Sequence, residues 1–182
     1  MAHSLELLLD EAADQHVRDE WAALAGAGLP HQGSVVSTTN RPHVTLVAAS
    51  SIDPGVDAAL VPAAMTLPIS MRLGAPVLFS NRGRVTLSRL VVPSAGLISM
   101  HARVTRVADG HIGPDTPESM LAHTRPGRWT PHVTLARRLD GVQLARALEV
   151  LDLRAEPTGT FVALRRWDSD AGTDHILAGR AC

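Results

Sequence analysis

One pentapeptide occurs twice in this chain, and it constrains the fold more than any other feature. Pro42-His43-Val44-Thr45-Leu46 returns as Pro131-His132-Val133-Thr134-Leu135. Exact recurrence of five residues in so short a chain points to an internal duplication. Val, Thr and Leu beside His suit a strand, and proline is tolerated at a strand's first residue. Successive strand side chains face opposite sides. His43 and Thr45 therefore share one face, and Val44 and Leu46 the other; His132 and Thr134 stand likewise against Val133 and Leu135. One face anchors to a core, and the other presents an imidazole beside a hydroxyl, twice.

Two such strands brought together surround one cleft with two imidazoles and two hydroxyls. That set can bind a phosphate and move protons on both sides of it. The sequence here resembles the 2H phosphoesterases, which include the bacterial proteins known as 2′-5′ RNA ligases. Their signature is a pair of His-x-Thr-x motifs with x apolar, about half a chain apart. The matches are His43-Val44-Thr45-Leu46 and His132-Val133-Thr134-Leu135.

Attack on phosphorus needs a water deprotonated on one side and a leaving oxygen protonated on the other. Histidine, titrating at about 6.5, can be neutral at one site and charged at another near pH 7. The Thr45 and Thr134 hydroxyls can donate to the phosphate oxygens on which charge grows. The scheme requires no metal or other cofactor. The resemblance implies that His43 is the acid and His132 the base. Pairing the two as zinc ligands is the competing chemistry, but no carboxylate or cysteine accompanies them at a matching position. Arg41, beside the first motif, and Arg125, Arg128 and Trp129, ahead of the second, are candidates to clamp a phosphate or stack a base. A solvated loop is the alternative for them. The other seven histidines show no ligand spacing.

Composition bounds the rest. The 182 residues can bury a sizeable core, with 45% hydrophobic and 19% charged residues arguing against disorder. The net charge of −1 argues against a strongly basic nucleic-acid surface. Aromatics are 3%, without Tyr, so base stacking falls to Phe79, Phe161 or the three Trp. A small cyclic phosphate or an RNA end is the expected substrate, rather than a long duplex. All basic residues are Arg, which suits bidentate phosphate recognition, although codon bias is the plainer cause. The only cysteine is Cys182, which excludes an internal disulfide and a Cys-based zinc cluster and is compatible with a cytoplasmic setting. Glu6, Asp10 and Glu11 interrupt the first apolar run, so neither a signal peptide nor a membrane span is expected. No obligate protein partner is evident.

In chain order, Asp10 predicts a strand before it and a helix after it, with Ala13, Val17, Trp21 and Leu24 at helical spacing. The motif strands run over 43–49 and 132–139. A helix starts at Asp53-Pro54 and runs to about 64. Sheet follows from 66 to 92, broken at Gly74 and Pro76 and folded back at Asn81-Arg82-Gly83. Ser94 caps a helix over about 96–107, and 109–131 is a long irregular stretch. Asp140 caps a helix of Val142, Leu144, Ala147, Leu148 and Leu151. Strands near 160–167 and 175–178 close the chain. The halves repeat one order, which predicts an α+β fold: two pseudo-symmetric lobes of antiparallel sheet flanked by helices, with a central cleft, in one bilobal domain over 1–182. Two functions fit such a cleft. One is a metal-independent phosphodiesterase opening a 2′,3′-cyclic phosphate on a nucleotide or RNA end. The other is a binding module for the same ligand that does not turn it over.

Overall fold

The strands of the two halves pair in a palindrome. The computed structural model describes residues 3–179, so Cys182 lies outside them. Among these residues, β1 (His3–Leu9), β2 (His43–Ala49), β3 (Ile69–Asn81), β4 (Arg84–Val91), β5 (His132–Leu139), β6 (Thr158–Asp168) and β7 (Thr173–Gly179) form one antiparallel sheet. Its order is β2-β1-β6-β3-β4-β5, with β7 beside β6. Exchanging β1 with β4, β2 with β5 and β3 with β6 reproduces that order reversed. The exchange also matches helix α1 (Glu11–Gly26) to α3 (Ala95–Ala108), and α2 (Val56–Ala64) to α5 (Gly141–Val150). Among the strands and α-helices of the described residues, only β7 and the short α4 (Glu118–Leu121) have no counterpart. The sheet is thus two lobes of one pattern, and the two motif strands are its outer edges. Those edges touch each other.

Local chemistry sets the helix starts. Asp10 accepts the Ala13 amide, and its other oxygen accepts the Thr160 amide at 2.5 Å and hydroxyl at 3.0 Å, tying α1 to β6. Gly159 permits that approach, since a Cβ there would stand 2.8 Å from the Asp10 carboxylate. Asp140 and Gln143 form a reciprocal capping box at α5, and Ser94 caps α3. Of the apolar residues of α5, Ala147 is buried, while Val142 and Leu148 face solvent.

Leu5, Leu7, Val44, Leu46, Leu87, Val133, Leu135, Phe161 and Leu164 are almost wholly buried on one face of the sheet, against Val17, Leu24, Leu97 and Val104 of α1 and α3. The helices cross over: α1 packs on β5, and α3 on β2. Arg89 of β4, fully buried, donates to Glu20 of α1 at 2.9 Å and to the carbonyls of Asp152 and Ala155 at 2.7 and 3.0 Å. Removing one partner of such a buried pair costs about 3–5 kcal/mol, because the other charge is left uncompensated.

The predicted break at Gly74 and Pro76 is absent, and β3 is continuous. Ile69–Arg72 pair with β6, and Leu73–Asn81 with β4. The strand changes partner where the breakers stand, and the ladder to β4 slips between Leu73 and Pro76, which accommodates a residue with no amide hydrogen. Asn81-Arg82-Gly83 makes the expected turn, with φ of 48° at Arg82 and 75° at Gly83.

Candidate functional site

Each motif strand begins with the same arrangement. The Nδ1–H of His43 donates to the Arg41 carbonyl at 2.7 Å, and the Nδ1–H of His132 to the Thr130 carbonyl at 2.7 Å. A carbonyl can only accept, so each ring carries its Nδ1 hydrogen and turns Nε2 toward the cleft. Among the described residues, neither the Thr45 nor the Thr134 hydroxyl has a protein partner, although both line the cleft beside their histidines.

A cavity of about 450 Å³ lies on the His43 side, bounded by Glu6, Thr45, Arg165 and Trp167. Another of about 710 Å³ lies on the His132 side, bounded by Phe79, Thr134, His123 and Arg128. Arg137 lines both. The sheet's edge-to-edge contact therefore brings the four motif side chains around one guanidinium.

Arg137 has no role in the sequence reading, because strict alternation from His132 puts it on the core face. The β4–β5 ladder slips between Leu87 and Ser88, opposite Leu135 and Ala136. Both of those residues are buried, and the extra residue reverses the alternation, so Arg137 emerges on the side of His132 and Thr134. Strand β2 has the same slip, opposite Leu46 and Val47, and there Ala48 emerges into the His43 cavity.

The two imidazoles sit in different electrostatic settings. Burial lowers the proton affinity of His132; the Thr130 carbonyl opposes that shift, and His43 and Arg137 add to it. The His132 ring also packs on Phe79, with centroids 4.5 Å apart. The Nε2 of His43 instead lies 3.5 Å from the Glu6 carboxylate. Glu6 was legible only as an interruption of the first leucine run, yet an isolated acid between leucines in a strand is a buried charge in need of partners. Burial opposes its ionisation, but His43, Arg165 and Ser4 together hold the carboxyl below its usual range.

Trp129 is set differently from the base-stacking expectation. Its indole lies flat on the His101 ring, 3.9 Å away, and its Nε1–H donates to the Thr45 carbonyl at 2.9 Å. The ring is packed against the core and does not line the cleft. Trp21 does the same for the other half, donating to the Thr134 carbonyl at 3.1 Å. Arg128 lines the His132 cavity, whereas Arg125 pairs with Glu118 at 2.7 Å. Arg41 contributes its carbonyl to His43 and lines neither cavity. The fold also gathers His3, Asp168 and Asp170 within 4.8 Å, a grouping no sequence spacing announces. His3 lies on the opposite face of β1 from Glu6 and so stands away from the cleft.

The profile of the 2′-5′ RNA ligase superfamily matches residues 13–173, a span that contains both motifs. The chain belongs to that superfamily. Membership makes it a 2H phosphoesterase whose chemistry is on phosphodiester bonds. The fold recurs in solved structures of low identity. Escherichia coli LigT complexed with NADP+ superposes with a TM-score of 0.53 at 16% identity, over 98% of this chain and 94% of that one. TT0787 of Thermus thermophilus gives 0.56 at 14% identity, over 98% and 96%. Kluyveromyces marxianus Usb1 with uridine monophosphate gives 0.53 at 13% identity, over 97% of both chains. No curated protein sequence matches the chain. No helix of the described residues is long and apolar enough to cross a membrane.

Proposed function

We propose that this superfamily member is a metal-independent phosphodiesterase that opens a 2′,3′-cyclic phosphate on a nucleotide or RNA end. The observation that carries the reading is the pair of Nε2 atoms turned into one cleft, each oriented by a carbonyl on its own Nδ1. The nucleotides bound in the LigT and Usb1 structures support a nucleotide-type ligand.

His132, whose burial favours the neutral ring, is the base, and His43 is the acid. His132 Nε2 takes a proton from a water as that water's oxygen bonds to phosphorus. The P–O3′ bond breaks on the opposite side, and the departing oxygen takes the Nε2 proton of His43. The Thr45 and Thr134 hydroxyls and the Arg137 guanidinium donate to the non-bridging oxygens. The product keeps a 2′-phosphate, and proton exchange with water resets both rings. In-line geometry requires acid and base on opposite sides of phosphorus, and two motif strands meeting at the cleft support that reading.

The test is phosphorus NMR of the product from a cyclic nucleotide, with and without exhaustive chelation. A 2′-phosphate alone, formed at the same rate after chelation, is expected. A pure 3′-phosphate means that the ribose binds reversed, and a mixture removes the acid and base assignments. Loss on chelation, restored by zinc, replaces the reading with a metallohydrolase. Tight binding without turnover replaces it with the binding module.

A further inference from the structure

We infer that Glu6 is the positioning residue that makes His43, of two identical motif histidines, the proton donor. The inference rests on the phosphodiesterase reading of the cleft. Strand β1 pairs Glu6 with Thr45 on one side and with Arg165 on the other. Its carboxylate therefore rises from the cleft floor between His43 and Arg165. One oxygen lies 3.5 Å from His43 Nε2 and accepts from the Ser4 hydroxyl at 2.5 Å. The other accepts from Arg165 Nε at 2.8 Å, with Nη2 of the same guanidinium 2.7 Å away as an ion pair. Glu6 is 3% exposed, and Arg165 is 2% exposed.

Arg165 also donates to Asp174 at 2.8 Å and to the Thr39 carbonyl at 2.9 Å. Two carboxylates thus surround one guanidinium, a group of net charge −1 on the floor of the site. The imidazolium of His43 cancels that charge, and the neutral imidazole does not. Among the described residues, the other charged or titratable groups facing His43 are Arg137 and His132, both from β5; Arg41 precedes it in the chain. Arg137 is matched by a bound phosphate, which leaves Glu6 as the counter-charge of the imidazolium. The 3.5 Å separation of Glu6 and His43 Nε2 lies outside hydrogen-bond geometry, which leaves Nε2 open to the cleft beside the carboxylate.

The other half lacks this group. Ser88 pairs with Thr134 as Glu6 pairs with Thr45, and Val77 pairs with Ser88 as Arg165 pairs with Glu6. Identical motifs, with identical carbonyls on Nδ1, thus differ by one buried counter-charge.

The test compares wild type with Glu6→Gln, Glu6→Asp and Asp174→Asn. Thermal melts and circular dichroism identify the folded variants. For these, kcat/KM on a cyclic nucleotide is followed against pH, and the His43 imidazole resonance is titrated without substrate. The alkaline limb reports loss of the acid's proton. Without the carboxylate that proton leaves earlier, so in Glu6→Gln the limb moves to lower pH, with roughly tenfold loss at pH 8 and little at pH 6. The acid limb belongs to His132 and stays in place. Glu6→Asp returns toward wild type, and Asp174→Asn moves the limb the same way by less. The His43 resonance follows the same order. A uniform loss at all pH values, with an unmoved His43 titration, overturns the inference. If Glu6→Gln does not fold, Asp174→Asn decides by the same criterion. Absence of wild-type turnover removes the phosphodiesterase reading alone, and the His43 titration still decides the role of Glu6.

Discussion

Strands β2 and β5 carry the same pentapeptide, bury the same positions of it and slip by one residue at the same place. Around them the matched positions differ: Ala48 against Arg137, Glu6 against Ser88, Arg165 against Val77. The shared features hold backbone in place: apolar residues inward, a slip that reverses alternation, and an indole N–H on each threonine carbonyl. The differing features set charge. In this molecule the geometry of the site is duplicated and its electrostatics are not.

The most severe way to break the comparison is to remove either imidazole. His43→Ala and His132→Ala should each lower kcat by ~10²–10⁴ while leaving the melting transition in place. A folded variant with wild-type kcat on a cyclic nucleotide would falsify the role of that histidine. The charge difference gives the next effect. Arg137→Ala should lower kcat/KM by roughly 10–100-fold, the scale of a lost hydrogen bond to a charged group. Ala48→Arg in that background should not restore activity, because the new guanidinium enters the cavity that holds Glu6. Recovery would mean that the two walls are interchangeable. The smallest effects test the shared scaffold. Trp21→Phe and Trp129→Phe should each cost about 1 kcal/mol in denaturant melts, one hydrogen bond apiece. Because each indole reaches the opposite motif, Trp21→Phe should disturb the His132 resonance more, and Trp129→Phe that of His43. The reverse pattern would refute the crossed arrangement.

The elements legible in the sequence follow from strand parity. His43, Thr45, His132 and Thr134 share the cleft face because nothing interrupts alternation within either pentapeptide. Arg137 was hidden because the slip falls just after the motif, and slips leave no simple mark in sequence. Glu6 was hidden because its partner Arg165 lies 159 residues away, on a strand placed beside β1 only by the completed sheet. Trp129 was visible as a functional aromatic, but its indole hydrogen has a backbone partner in the other half, which no local pattern announces. The break expected at Gly74 and Pro76 marks instead a change of neighbour within one continuous strand.

The palindromic strand order has a consequence for how such a site can arise. A half-chain carrying one motif, paired with a second copy about the same axis, would assemble the same two imidazoles around the same cleft. Every other group would also come in twos, so a glutamate beside one ring would stand beside both, and the rings would compete equally to give and to take a proton. Joining the halves in one polypeptide removes that restriction, because a substitution then alters one side only. Covalent linkage here does more than stabilise the pair: it makes the two sides of the cleft separately mutable.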